Sequence, residues 1–299
     1  MKYLVGFSPD QGGREALALA AVLARSSSGG GSIVVCNVIP ETWGHPSMAR
    51  VDAEYATFLE QHAKKALAKA RQALGKGISA EFISRSAASA REGLLQTASD
   101  VGADCVVLGS ARAAPLGRFA EGSVTSGILH SASLPVALAP KGYSLGPRAR
   151  VKRITCAFSG AKDSSSLARR SVGLCESFNA PLRLATLVVR DKQMYPTGAG
   201  YSAENLVSNQ MKRQANAAQA EVIANWTSPV KLAGAIGDGK TWRAAMDSLS
   251  WKDAEVMVVG SSGLGPILRV FLGSNSGKIV CNSPVPCIIL PRGGEADAA

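Results

Sequence analysis

A chain of 299 residues with 46% hydrophobic and 18% charged residues has the composition of a globular protein of about two domains, which excludes wholesale disorder. Its net charge of +11 is spread evenly: 16 Lys+Arg against 11 Asp+Glu gives +5 for residues 1–150, and 17 against 11 gives +6 for 151–299. With no basic arm, zinc-finger spacing or aromatic-rich RNA-binding signature, nucleic acid is not an expected partner, and the excess reads as a solvated surface attractive to small anions.

The first apolar run, Tyr3–Phe7, is too short for a signal peptide. It opens an alternation of short apolar runs and longer helical patterns. The expected strands are Tyr3–Phe7, Ser32–Ile39, Ala80–Ser84, Cys105–Leu108 and Val136–Ala139. The expected helices are Arg14–Arg25, Asp52–Leu74, Arg91–Val101 and a last segment from Ser123 to Ser131. The same series then returns. Its strands are Arg153–Phe158, Leu182–Val189, Val230–Ala235, Val256–Val259 and Cys287–Leu290, with helices near Ser164–Phe178, Ala203–Asn225, Lys240–Leu249 and Ser274–Cys281. Continuous apolar strands such as Cys105–Leu108 and Val256–Val259 belong in a sheet covered on both faces, and the alternation indicates parallel βαβ units. The six cysteines, Cys36, Cys105, Cys156, Cys175, Cys281 and Cys287, form no CxxC pair. Most lie in apolar runs, as expected of a reduced cytoplasmic protein. No run approaches the roughly 18 apolar residues of a membrane span.

The repetition is ordered. Phe7-Ser8 returns as Phe158-Ser159, Gly109 as Gly260, Gly122-Ser123 as Gly273-Ser274 and Pro135 as Pro286; 158−7, 260−109, 273−122 and 286−135 all give 151. The expected organisation is therefore one domain over 1–141, a linker over 142–150, a second domain over 151–292 and a disordered tail over 293–299.

After the strand Val256–Val259 comes Gly260-Ser261-Ser262-Gly263, nine residues, then Gly273-Ser274 and a helix. In an open α/β sheet, ligands sit beyond the carboxyl ends of the strands. Glycines there admit a phosphate close to the backbone, and the following helix offers unsatisfied N–H groups. Ser274 stands where a capping hydroxyl is expected, and Arg269 adds a cation for a charge-assisted contact. Alone, this spacing better suits an ordinary strand–turn–helix junction; its placement after a buried fourth strand and before the last helix turns the balance toward a ligand loop.

The run from Val256 through Gly260-Ser261-Ser262-Gly263, Gly273-Ser274 and Pro284-Val285-Pro286-Cys287 resembles the C-terminal signature of the universal stress protein family, and the resemblance extends over both halves. It implies two tandem domains of Rossmann-like, adenine-nucleotide alpha hydrolase-like fold, each a five-stranded parallel β-sheet with helices on both faces. It further implies a stress-response protein that binds an adenine nucleotide, ATP with or without Mg, or else AMP or a cyclic nucleotide. The ligand positions carried over are Ser159, Val189, Gly237, Gly260, Gly263, Arg269, Gly273, Ser274 and Asn275; none is assigned as catalytic.

Two departures bear on this. Where the family ends its first strand with Asp, this chain has Ser8 and Ser159, with Asp10 and Asp163 slightly downstream in positions suited to turns or caps. In the first half Arg112 replaces the second loop glycine, and Ser86-Ala87-Ala88 stands at the same offset from Gly237-Asp238-Gly239. The expectation is that the second half is the main nucleotide site. A slow ATP hydrolase and a nucleotide-free protein-interaction scaffold are the alternatives. Trp43 and His45, in the loop after the second strand, are candidates to line a cleft. The three histidines lack metal-ligand spacing. The last strand of each half is an edge, suited to pairing the two domains or to dimerisation.

Overall fold

The computed structural model describes residues 1–41, 49–75, 77–190, 201–261 and 273–291. Gly263, Arg269, Trp43, His45 and the 293–299 tail lie outside the described residues. The chain divides into two units, Met1–Arg150 and Val151–Ala299.

The first unit runs β1 (Lys2–Gly6), α1 (Gln11–Ser26), β2 (Ser32–Pro40), α2 (Ala49–Leu74), β3 (Ser79–Ala87), α3 (Ala90–Val101), β4 (Cys105–Leu108), α4 (Ser123–Leu129) and β5 (Val136–Leu138). Its strands lie in the order β3-β2-β1-β4-β5, all parallel. The second unit runs β6 (Arg153–Ala157), α5 (Lys162–Phe178), β7 (Leu182–Val189), α6 (Tyr201–Ala224), β8 (Leu232–Gly239), α7 (Trp242–Asp247), β9 (Glu255–Gly260), α8 (Ser274–Asn282) and β10 (Cys287–Leu290). Its order is the same, β8-β7-β6-β9-β10, again parallel. These are the two five-stranded α/β sheets expected. β4 and β10 are buried along their whole length, because helices cover both faces of each sheet.

The strand ladders refine the internal alignment. Tyr3 pairs with Cys105 and Ile154 with Val256, so the offset is 151 at the first and fourth strands. Tyr3 also pairs with Ile33, whereas Ile154 pairs with Leu182, and 182−33 gives 149 at the second strand. Ile33 pairs with Ala80 and Leu182 with Leu232, and 232−80 gives 152 at the third. The first unit thus spends two extra residues in the Ser-Gly loop before β2, where Gly29 and Gly30 take φ of 75° and 83°. The second unit spends three extra between β7 and β8.

This corrects one expected equivalence. Gly237-Asp238-Gly239 corresponds to Arg85-Ser86-Ala87, and it forms the end of β8, beyond Ala235 where the strand was expected to stop. A Cβ on Gly237 would run into the Ala245 carbonyl oxygen, and one on Gly239 into the Ala245 amide, so both glycines admit α7 against the strand. At the matching contact in the first unit the glycine sits on the helix: a Cβ on Gly93 would crowd Val38 and Ala87. One small residue per contact is required, and each unit supplies it from the opposite partner. Close packing thus accounts for the missing first-unit glycines.

Five cysteines are buried and Cys281 on α8 is exposed. Burial pushes the thiols of Cys105, Cys156, Cys175 and Cys287 up to about 12. Because the thiolate is the reactive form, a native-state thiol titration with an aromatic disulfide should read a single fast cysteine. Cys281→Ser should remove it; a second fast thiol in that variant would contradict the burial pattern.

Candidate functional site

In each unit the strand order reverses between the first and fourth strands, which opens a crevice at their carboxyl ends. In the first unit this crevice is a cleft of about 320 Å³, lined by the β1–α1 loop, the end of β2, the start of α3 and the β4–α4 loop. Ser8 and Asp10 stand on one side; Gly109, Ser110, Gly122 and Ser123 stand on the other.

The walls are fixed by backbone contacts. Asp10 caps α1, its Oδ1 accepting from the Gly13 amide at 2.9 Å. A Cβ on Gly109 would collide with the Gly12 carbonyl, so that glycine lets α1 close on the end of β4. Ser110 Oγ accepts from the Ala120 amide at 2.8 Å and clamps the loop. Asn37 Nδ2 donates to the Phe7 carbonyl at 2.8 Å and ties the end of β1 to β2. Asp10→Ala should cost about 1 kcal/mol of stability through loss of its cap; a denaturant titration checks this, and an unchanged midpoint would show the cap to be idle. Burial raises the Cys36 pKa, with the Thr97 hydrogen bond opposing it, so this cleft-lining group is a neutral thiol and not a nucleophile.

Gly122 differs from Gly109. It is the N-cap of α4, with φ −105° and ψ 170°, extended backbone open to any residue. The nearest atom to its missing Cβ is the Ala111 Cβ at 3.6 Å, an ordinary contact. No side chain caps α4. Neither backbone strain nor packing calls for glycine here; its effect is to leave the first turn of α4 open to the cleft.

The second unit repeats this. Gly273 is the N-cap of α8 and no side chain caps it. Ser274 is therefore the first helical residue, not the cap expected for it, and both it and Asn275 are exposed. Gly260 ends β9, and a Cβ there would meet Leu167 at 3.4 Å, again an ordinary contact. Ser276, not singled out by the sequence, donates from Oγ to the Gly260 carbonyl at 3.0 Å, binding α8 to the strand end. Ser159 is exposed beyond β6, where its Oγ accepts from the Ala161 amide at 3.4 Å. Asp163 lies in the first turn of α5 without capping it. Val189 ends β7, two strands from β9, and Gly237 is buried against α7. The structure thus brings Gly260, Gly273, Ser274 and Asn275 to one strand–helix junction. Asp238 is ion-paired with Arg190 at 3.3 Å and with Lys212.

Arg112 does not fill the first-unit cleft. Its side chain is 86% exposed, with Nη2 4.0 Å from Asp10 Oδ2 at the rim.

The model of the Universal stress protein family matches residues 1–140 and again 150–291. A universal stress protein of Mycobacterium tuberculosis is 34% identical over 294 residues, 97% of this chain and 100% of its own length. A universal stress protein of Mycobacterium bovis matches to the same extent, 34% over 294 residues. A solved universal stress protein of Archaeoglobus fulgidus, 17% identical, covers 98% of each chain with a TM-score of 0.61, a likeness of fold.

Proposed function

The chain belongs to the universal stress protein family and carries its domain twice, and on that premise we propose that it is a cytoplasmic stress-response protein that binds ATP at the crevice of each unit and acts by binding rather than by turnover. The observation that carries this is the pair of uncapped helix starts, α4 behind Gly122 and α8 behind Gly273, each placed at the end of the fourth strand of its sheet. Free N–H groups and the positive end of the helix dipole favour a phosphate there. In the first unit the glycine is explained by neither φ nor packing, and a cleft lies in front of it.

The preference for the second unit read from the loop rests on Gly263 and Arg269, beyond the described residues. The geometry gives the first unit a claim of its own. Among the described residues no helix is long and apolar enough to cross a membrane, and no group of three or more His, Cys, Asp and Glu is placed to hold a metal ion. A Mg ion would therefore enter on the nucleotide, held mainly by its phosphates.

Two measurements test the reading. The purified chain is denatured and the released small molecules identified by mass; the nucleotide-stripped chain is then titrated with ATP while amide exchange is followed peptide by peptide. Protection of 7–13 and 109–125 in the first unit, and of 255–261 and 273–282 in the second, is the expected result. Absence of protection in both sets would overturn it.

A further inference from the structure

The outer edge of the second sheet carries a groove of about 570 Å³ between α6 and β8. Lys212, Gln219, Ala220 and Ile223 line it from the helix, Gly234 and Ile236 from the strand. Gln219 anchors α6 there. It is 4% exposed and donates from Nε2 to Thr186 Oγ1 at 2.8 Å and to the Ala235 carbonyl at 3.0 Å. A Cβ on Gly234 would collide with Gln219 Oε1, so the strand backbone lies bare on the groove floor.

β8 is also unpaired on its outer side. The Leu182 amide donates to the Lys231 carbonyl and the Arg190 amide to the Gly239 carbonyl. The odd-numbered backbone groups of β8 therefore face β7, and the even-numbered ones face outward. Of these, the Asp238 amide donates to Ser248 Oγ at 2.9 Å. The amides and carbonyls of Leu232, Gly234 and Ile236 meet no partner among the described residues. A bare strand edge is a template for a further strand, and charged side chains commonly guard it. β3, the matching edge of the first unit, is guarded. It carries Glu81 and Arg85 within its length, Arg85 is paired with Asp100, and Arg71 lies over Phe82 at 4.7 Å. β8 has no charge from Leu232 to Gly237. The charges stand at its two ends and are mostly positive. Lys231 and Lys240 are exposed and form no ion pair among the described residues, while Arg190 and Lys212 share one carboxylate, Asp238.

We propose that β8 and the groove beside it form a docking site for an extended acidic segment of a partner protein. The segment adds to β8 as a strand, sets alternate apolar side chains under α6 against Ala220, Ile223 and Ile236, and places its carboxylates on the cations at the strand ends. A second copy of this chain is a poorer fit, because antiparallel pairing of two β8 strands brings Lys231 of each toward Lys240 of the other. The site lies at the sheet edge, apart from the crevice between β6 and β9, and does not depend on nucleotide.

The probe is the peptide fluorescein-Glu-Asp-Val-Thr-Val-Thr-Val-Glu-Asp-amide, titrated into the full chain by anisotropy, with amide exchange locating the contact. One control peptide has Lys in place of every acid; the other has Pro in place of both Thr. The acidic peptide should bind at least about tenfold more tightly than either control and slow exchange over 231–239. Ala220→Trp, which fills the groove from an exposed position, should abolish binding. Lys231→Glu/Lys240→Glu should reverse the preference between acidic and basic peptides. Both changes are at exposed side chains, and circular dichroism checks that the variants fold. Equal binding of the acidic and proline peptides would reduce the effect to surface charge and overturn the proposal. So would absence of binding, protection confined to segments other than β8 and α6, or a dimer in sedimentation that Ala220→Trp dissolves, which would assign the edge to a second copy.

Discussion

Glu255→Ala should lower the melting temperature by about 10 °C, the largest loss of stability expected from one side chain here. Removing one partner of a buried ion pair costs about 3–5 kcal/mol, and a unit of this size loses about 2–4 °C per kcal/mol. The Glu255 side chain is 0% exposed at the start of β9. It takes Arg153 at 2.6 Å and Arg183 at 2.8 Å, accepts from the Lys252 amide at 2.9 Å, and meets the Thr155 hydroxyl. Arg183 also donates to the Ser250 carbonyl at 2.9 Å and stacks over Trp251 at 4.8 Å. Without Glu255, the buried Arg183 keeps its charge and loses its anion. Burial already lowers the Arg183 pKa, and Glu255 opposes that shift. The double variant Arg183→Met/Glu255→Met should lose less than Glu255→Ala alone, because no buried charge is left behind at Arg183. The exposed i,i+4 pair Arg243–Asp247 is the control: Asp247→Ala should change stability by no more than about 0.5 kcal/mol. A Glu255→Ala loss as small as that would show the cluster to be ornamental.

Gly122→Asp should leave the fold intact and weaken ATP binding in the first unit by at least about a hundredfold. The backbone at Gly122 is extended and a side chain meets an ordinary contact, so the variant should fold. As an N-cap the new carboxylate should even stabilise α4, by roughly a few tenths of a kcal/mol. Its oxygen then occupies the N–H groups proposed for the phosphate and repels what remains. Gly273→Asp is the same change at α8 and should do the same to the second unit. Amide exchange by unit reads both. Gly109→Ala is the contrast, since it should destabilise through its collision with the Gly12 carbonyl. Undiminished first-unit protection by ATP in a folded Gly122→Asp protein would remove α4 from the site.

The fold was legible because its signals are local. Apolar runs such as Cys105–Leu108, Leu182–Val189 and Cys287–Leu290 became strands with those same bounds. The ends of β3 and β8 were not legible, since glycine and alanine at a strand end look like a turn until the partner helix is in place. The internal alignment was readable where glycines and prolines mark it and unreadable at the second and third strands. There, loops of different length shift the register by two and three residues without changing the apolar pattern. The Glu255 cluster was hidden for the same reason: Arg183 lies on the shifted strand, and its first-unit counterpart is Val34, while that of Thr155 is Leu4, both buried. The first unit puts hydrocarbon at these two places and keeps charge only at the counterparts of Arg153 and Glu255, Lys2 and Asp104. At the site, the glycine pattern located the strand–helix junctions. It could not tell Gly109, kept for packing, from Gly122, where packing leaves room, because that difference depends on where α1 and Ala111 lie.

The Ser-Gly loop before β2 offers a practical handle. Gly29 and Gly30 have nothing within 4 Å of where a Cβ would stand, and they precede the amino end of β2, whereas the cleft lies at the carboxyl ends of the strands. A fluorescent reporter or affinity tag spliced between them would meet open solvent. It would let ligand occupancy of the first unit be followed in living cells without the label touching the crevice it reports on.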